Sequence, residues 1–198
     1  MAEDQAEIER LRSLVARFVA KLGISDDDAK ALDIAASMLG VKRLPIMDIL
    51  KKDGPLTPDD RERMTENADL WAEFAEKVEL LRELGVADVL EKYTEHWDGT
   101  GRPGGLAGDD IPLGARILSV CYHYSGMVSD RAYRRALTTK RALAELTRLS
   151  GTVLDPDLVT VFVASVQDER KSSRIESRRA AKKPGTKRPN AGKKKKKS

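Results

Sequence analysis

Apolar side chains at Ile8, Leu11, Leu14, Val15, Phe18, Val19 and Leu22 recur at intervals of three and four. That spacing lines one face of an α-helix and predicts a helix over 4–22, stopped by Gly23. Ser25 is placed to cap a second helix, with Asp26, Asp27 and Asp28 complementing its N-terminal dipole. Its apolar positions run through Ala31, Leu32, Ile34, Ala35 and Met38 to Gly40. A short helical piece covers 46–51. Thr57 followed by Pro58 reads as an N-cap and first helical position. A long helix is expected over about 58–83 and another over about 86–95. Residues 98–110 hold five glycines and a proline and must form a loop. Ile111-Pro112 leads into a strongly apolar helix through Ala115, Ile117, Leu118, Val120, Cys121 and Tyr124. Two further helices are expected over about 138–149 and 156–168. No alternating strand pattern and no internal repeat is present, so the fold class is all-α.

Composition divides the chain. Of 198 residues, 40% are hydrophobic and 34% charged, which suits one helical domain over 1–168 and a basic tail over 169–198. The formal charge of +4 conceals two opposed parts. Arg170 to Ser198 holds fourteen Lys or Arg against the single acid Glu176, a charge of +13, which leaves −9 for Met1 to Glu169. The tail has one large apolar residue, Ile175. It is expected to extend the last helix and then, after about Ala181, to be disordered. Lys193, Lys194, Lys195, Lys196 and Lys197 form a polycation without interleaved aromatics. Any nucleic-acid contact there would be directed at phosphate and sensitive to salt. No apolar run reaches the roughly 18 residues of a membrane span. The acidic residues after Met1 do not read as a secretory signal. Cys121 is the one cysteine, and His96 and His123 are the two histidines. A disulfide within the chain, a Cys-based zinc site and a His-rich metal centre are therefore excluded.

The informative stretch is EHWDGTGRPGGLAGDDIPLGARI over 95–117. Asp98, Gly99, Thr100, Gly101 and Pro103 form a loop signature, continued by Gly105, Leu106, Gly108, Ile111, Pro112, Ala115, Arg116 and Ile117. Asp130, Arg131, Tyr133, Arg134 and Ala136 follow, then Asp155, Pro156 and Val159. Upstream stand Pro45, Ile49, Leu50, Gly54, Pro55, Leu56 and Thr57. In this order the residues resemble the HD-GYP family, helical metal-dependent phosphodiesterases that hydrolyse cyclic di-GMP. The resemblance covers about residues 11–166. It implies an HD-domain-like helical bundle with HD-GYP-type C-terminal helices.

The resemblance also shows where the family's metal ligands would stand. Ser37 and Met38 occupy the place of the His-Asp pair, with Val41 in place of the lysine that follows. Asn67 takes the next histidine position. Tyr93 and Thr94 replace a His-His pair, and Tyr122 and Ser125 replace aspartates. Arg102 replaces the tyrosine of the family's namesake triplet. Hydroxyls, a thioether, phenols and an amide hold hard divalent ions poorly against water. Met38, Tyr93 and Tyr122 are expected to fill the volume of ions and substrate. Glu95 aligns with a family acid. Asp98 is expected to organise its own turn, His96 to lie at the surface, and His123 to be a satisfied core or surface histidine. Trp71 and Trp97 are expected to pack in the core and against the loop.

From these residues the chain is expected not to be an enzyme and to carry no cofactor. It reads as a signalling or protein-interaction module of a bacterial cytoplasm. The loop Asp98, Gly99, Thr100, Gly101, Arg102 and Pro103 would dock a partner; the resemblance suggests a diguanylate cyclase or another signalling protein. Three alternatives stay open. The chain could bind cyclic di-GMP through Arg131 and Arg134 without hydrolysis, since arginine forks suit phosphate. It could retain metal-dependent phosphodiesterase activity. Its Lys-rich tail could associate with DNA or another polyanion.

Overall fold

The computed structural model describes residues 2–50, 52, 54–130 and 135–181. They fall into two compact units, Met1–Ser165 and Val166–Ser198. Among the described residues the elements are helical: α1 (Ala2–Leu22), α2 (Asp26–Arg43), a 3-10 turn (Leu44–Ile46), α3 (Met47–Leu50), α4 (Pro58–Lys77), α5 (Glu79–Glu83), α6 (Val86–Lys92), a second 3-10 turn (Gly108–Asp110), α7 (Leu113–Met127), α8 (Thr139–Leu149) and α9 (Pro156–Ala181). Extended pairing there is limited to two isolated bridges, Asp98 with Ala107 and Ser150 with Leu154. The all-α class read from the sequence is the observed one.

The core of the first unit follows from the apolar stripes. α1 packs on α2 and α7. Ala35 and Ala36 of α2 are fully buried, and side chains this small let neighbouring helices approach closely. Phe18 of α1 meets Phe162 of α9 edge-on, with ring centroids 5.0 Å apart. Tyr124 of α7 meets the same Phe162 ring at 5.1 Å. α7 buries Ala115, Ile117, Leu118, Val120 and Cys121 completely; a helix apolar on most sides belongs in the interior. Burial pushes the Cys121 thiol far above its ordinary range, so it stays protonated and unreactive.

Caps fix several helix ends. The Ser25 hydroxyl accepts the Asp28 N–H at 3.1 Å. At α4 the Thr57 hydroxyl accepts the Asp60 N–H at 3.1 Å while the Asp60 carboxylate accepts the Thr57 N–H at 2.8 Å, a reciprocal capping box. The Lys52 ammonium beside it holds the Asp60 carboxyl well below the usual carboxylate range.

Two expected helices end elsewhere. The helix expected over 58–83 breaks at Val78, whose backbone is extended at φ −92°, ψ 98°. Phe74 and Leu81 lie seven residues apart and would share one face of an unbroken helix. Yet Phe74 is 46% exposed and Leu81 only 7%. The break turns Leu81 inward. The helix expected over 86–95 ends at Lys92, because the chain turns at Tyr93 and Thr94 to send Glu95 into the following loop. The last helix runs from Pro156 to Ala181, extended into the tail as expected; Arg, Lys, Glu, Ser and Ala after Val166 sustain it, with no Gly or Pro before Pro184. The described part of the second unit is the C-terminal part of α9. The tail from Lys182, with Lys193 to Lys197, lies outside the described residues.

Candidate functional site

The glycine-rich loop after α6 is built around one buried acid. Glu95 is 3% exposed, and its carboxylate accepts the backbone N–H of Gly104 and, at 3.2 Å, that of Leu106. A carboxylate can be buried at tolerable cost only with such partners. Gly101 lies flat against the same stretch. A Cβ there would stand 2.1 Å from the His96 nitrogen and 2.5 Å from the Glu95 Cα, so no side chain fits. The Arg102 N–H is donated to the Thr94 carbonyl at 3.3 Å, and the Thr94 hydroxyl is donated back to the Arg102 carbonyl at 2.9 Å.

Asp98 shapes the first turn. Its carboxylate accepts the Thr100 N–H at 3.0 Å and the Thr100 hydroxyl at 2.6 Å, and these bonds lower its pKa. Gly99 follows with φ +80°, a region that side chains other than glycine rarely enter. His96 Nδ1 lies 3.0 Å from the Thr100 hydroxyl. The loop is tied to the turn before α9 by the Trp97 N–H on the Val153 carbonyl at 3.2 Å and the Asp98 N–H on the Thr152 carbonyl at 2.8 Å.

Beneath the loop, Arg116 of α7 joins three pieces. Its Nη1 donates to Asp109 and to Asp155, each at 2.8 Å, and its guanidinium lies 5.7 Å from the Trp97 ring centre. Asp155 in turn accepts the Asp157 and Leu158 N–H groups at 2.9 and 3.1 Å, which caps α9. Trp97 therefore packs at the loop, as expected, and Trp71 is half-buried with its ring edge-on to Phe74 at 5.5 Å.

The positions that the resemblance pairs with metal ligands carry the following contacts. The Ser37 hydroxyl donates to the Asp33 carbonyl of its own helix at 2.8 Å. Met38 is half-buried and Asn67 buried. Tyr93 and Tyr122 meet edge to face with centroids 5.4 Å apart. His123 sits one position further on, its Nδ1 2.9 Å from the Ser119 carbonyl, and burial lowers its pKa. Among the described residues no group of three or more His, Cys, Asp or Glu is arranged to hold a metal ion. The multi-ion centre implied by the family resemblance does not fit the donors at these positions. Arg131 and Arg134 lie outside the described residues. On the loop itself Arg102, Pro103, Gly104 and Gly105 are exposed.

Sequence reasoning missed the Glu95 clamp and the Arg116 junction. The available signal was an acid directly before a run of glycines, whose free N–H groups need acceptors.

Comparison with known proteins places these features. The family model described as "HD domain" matches residues 3–158. A cyclic di-GMP phosphodiesterase of Thermotoga maritima is 29% identical over 163 residues, covering 81% of this chain and 44% of its own. The cyclic di-GMP phosphodiesterase response regulator RpfG of Xanthomonas campestris pv. campestris is 31% identical over 160 residues, covering 80% of this chain and 42% of its own. The crystal structure of a cyclic GMP-AMP specific phosphodiesterase of Vibrio cholerae, V-cGAP3, superposes with a TM-score of 0.62 at 20% identity, covering 90% of this chain and 49% of that one. That likeness establishes the shared fold. The chain spans less than half the length of these relatives.

These matches correct one expectation. The chain was expected not to be an enzyme, yet the proteins it aligns with over four-fifths of its length are named phosphodiesterases. The physical reason is that substituted side chains at aligned positions bear on one arrangement of ions. They do not decide whether a phosphodiester is cleaved by this domain.

Two outcomes follow from the geometry. Gly101→Ala is expected to destabilise the chain by about 1–3 kcal/mol through overpacking, measured by chemical denaturation; unchanged stability would mean that the loop has another path. The second concerns pH. Above the ordinary histidine value of 6.5, His123 is neutral in both folded and unfolded chains. Below it the unfolded chain takes up a proton that the half-buried ring resists, so stability falls as pH drops from 6.5 toward the lowered folded value. Denaturation midpoints at neutral and mildly acidic pH should differ, and the difference should shrink in His123→Leu.

Proposed function

The chain belongs to the HD domain family, and on that premise we propose that it serves cyclic-dinucleotide signalling, with cyclic di-GMP as its substrate and phosphodiester cleavage as its reaction. The observation that carries this reading is the alignment of residues 3–158 to the family, with relatives named for cyclic di-GMP along the same stretch. The site we assign is the outer face of the loop 98–108 with the ends of α6 and α7.

The chemistry of the ligand makes clear demands. A cyclic dinucleotide presents two phosphodiesters, each with one negative charge, and two bases with flat faces. Arg102 offers a guanidinium from a backbone that Thr94 holds on both sides. A planar fork on a fixed base suits phosphate oxygens. His96 can donate a second hydrogen bond from the neighbouring turn. Arg135 is exposed ahead of α8, and Arg131 and Arg134 precede it in sequence. Cleavage also requires an activated water. The donors at the aligned ligand positions do not make an ion site, so no residue is assigned to that step. A second reading, favoured by the exposed rim from Arg102 to Gly105, is that the same loop docks a signalling protein such as a diguanylate cyclase.

Calorimetry with cyclic di-GMP, run beside chromatography of the nucleotide after incubation with added manganese, tests the assignment. Binding and the appearance of a linear product are expected. Arg102→Ala should weaken binding about tenfold, the loss of a charge-assisted hydrogen bond. Neither heat nor product would overturn the reading; binding unaffected by Arg102→Ala would move the site away from the loop.

A further inference from the structure

We infer that His96 is the general base of the cleavage proposed above, held by Asp98 and Thr100 as the neutral tautomer that carries its proton on Nδ1. This rests on the cleavage reading and fills the step to which no residue is yet assigned, removal of a proton from the attacking water.

Counting protons fixes the tautomer. The bond from the Thr100 hydroxyl, before any other cause, holds the Asp98 carboxyl below the usual carboxylate range. Asp98 is therefore ionised at neutral pH and can only accept. The Thr100 hydroxyl owns one proton and donates it to Asp98 Oδ1 at 2.6 Å. Toward His96 Nδ1, 3.0 Å away, the Thr100 oxygen has only lone pairs to offer, so Nδ1 is the donor. A neutral imidazole carries one N–H, which leaves Nε2 with a bare lone pair. None of the described residues is hydrogen-bonded to Nε2.

The backbone keeps this chain of bonds in place. The Gly99 N–H is donated to the His96 carbonyl at 2.9 Å, and the Thr100 N–H to Asp98 Oδ1 at 3.0 Å. Gly101 lies so close that a Cβ on it would stand 2.1 Å from the His96 nitrogen. The ring is thus oriented before any ligand arrives. A carboxylate behind the ring, acting through the Thr100 hydroxyl, also favours the imidazolium that proton transfer creates.

In the step itself the water oxygen attacks the phosphorus of one phosphodiester while Nε2 takes one of the water's protons. The bond from phosphorus to one ribose oxygen breaks, and that oxygen takes a proton from solvent. Until the imidazolium returns its own proton to solvent, Nε2–H can donate to a phosphate oxygen. The sum is one water consumed and one linear dinucleotide formed. Asp98 and Thr100 touch no reacting atom and are positioning residues.

Two measurements on the full chain test this at about pH 8, where histidine is neutral. In long-range proton–nitrogen spectra His96 should show a protonated Nδ1 and a bare Nε2, the minor form of an unconstrained imidazole. Thr100→Val should shift the tautomer ratio toward Nε2–H by about two- to tenfold. The second ring signal should not move, because His123 Nδ1 is 2.9 Å from the Ser119 carbonyl instead. Formation of linear product from cyclic di-GMP should fall at least about a hundredfold in His96→Asn, whose amide can still donate to Thr100, while calorimetric binding of the nucleotide is largely kept. A neutral His96 protonated on Nε2, or product formation that His96→Asn leaves unchanged, would overturn the inference and leave the cleavage reading standing. Binding without product in the unaltered chain would overturn both together.

Discussion

The Glu95 carboxylate holds the loop on which the rest of the site depends. It is withdrawn from water and accepts the N–H groups of Gly104 and Leu106. Five glycines in thirteen residues would ordinarily make a segment costly to order, since glycine loses more backbone freedom than any other residue. The acid supplies acceptors for backbone donors that the loop cannot satisfy by itself, and the loop supplies donors for a charge that could not otherwise be buried. Each makes the other tolerable. The end of α6 at Lys92 belongs to the same arrangement, because a helix continued through Glu95 would aim the carboxylate elsewhere.

From this hub the contacts spread to the neighbouring helices. Gly101 closes on the Glu95 and His96 backbone, Thr94 and Arg102 exchange two hydrogen bonds, and Arg116 binds Asp109 of the loop to Asp155 at the start of α9. The loop is thereby a shaped surface, with the Arg102 backbone held by Thr94 and His96 Nδ1 beside the Thr100 hydroxyl. The chain's relatives are named for cleaving cyclic dinucleotides, while Tyr93 and Tyr122, which the resemblance pairs with two ligand positions, stack edge to face. Family membership is shown; the altered donor set is what the resemblance implies for these positions. Together they direct attention to the cations and the loop, which the chain does possess.

Much of this was legible in the residues. Helical periodicity found α1, α2, α7 and α8 within a few positions, because the side chains each buries recur at helical spacing. Thr57-Pro58 announced the start of α4 through local chemistry alone. The break at Val78 was not legible: nothing local distinguishes it, and its cause is the need to turn Leu81 inward while Phe74 stays outside. The ordering of residues 95–117 revealed the family and the fold. The role of Glu95 was hidden because its partners lie nine and eleven residues away. The step from altered ligand positions to absent catalysis went further than the side chains allowed, since positions that fail to match one ion geometry do not define the activity of a domain.

The most direct measurement is a titration of the isotopically labelled chain with cyclic di-GMP, followed through its backbone amide resonances. The loop amides from Asp98 to Gly108 and the Arg102 side chain should move together and saturate, while the faces of α4 and α5 stay still. Resonance shifts confined to another surface, or a spectrum indifferent to the nucleotide, would contradict the assignment of the Glu95-clamped loop as the place where this chain meets its ligand.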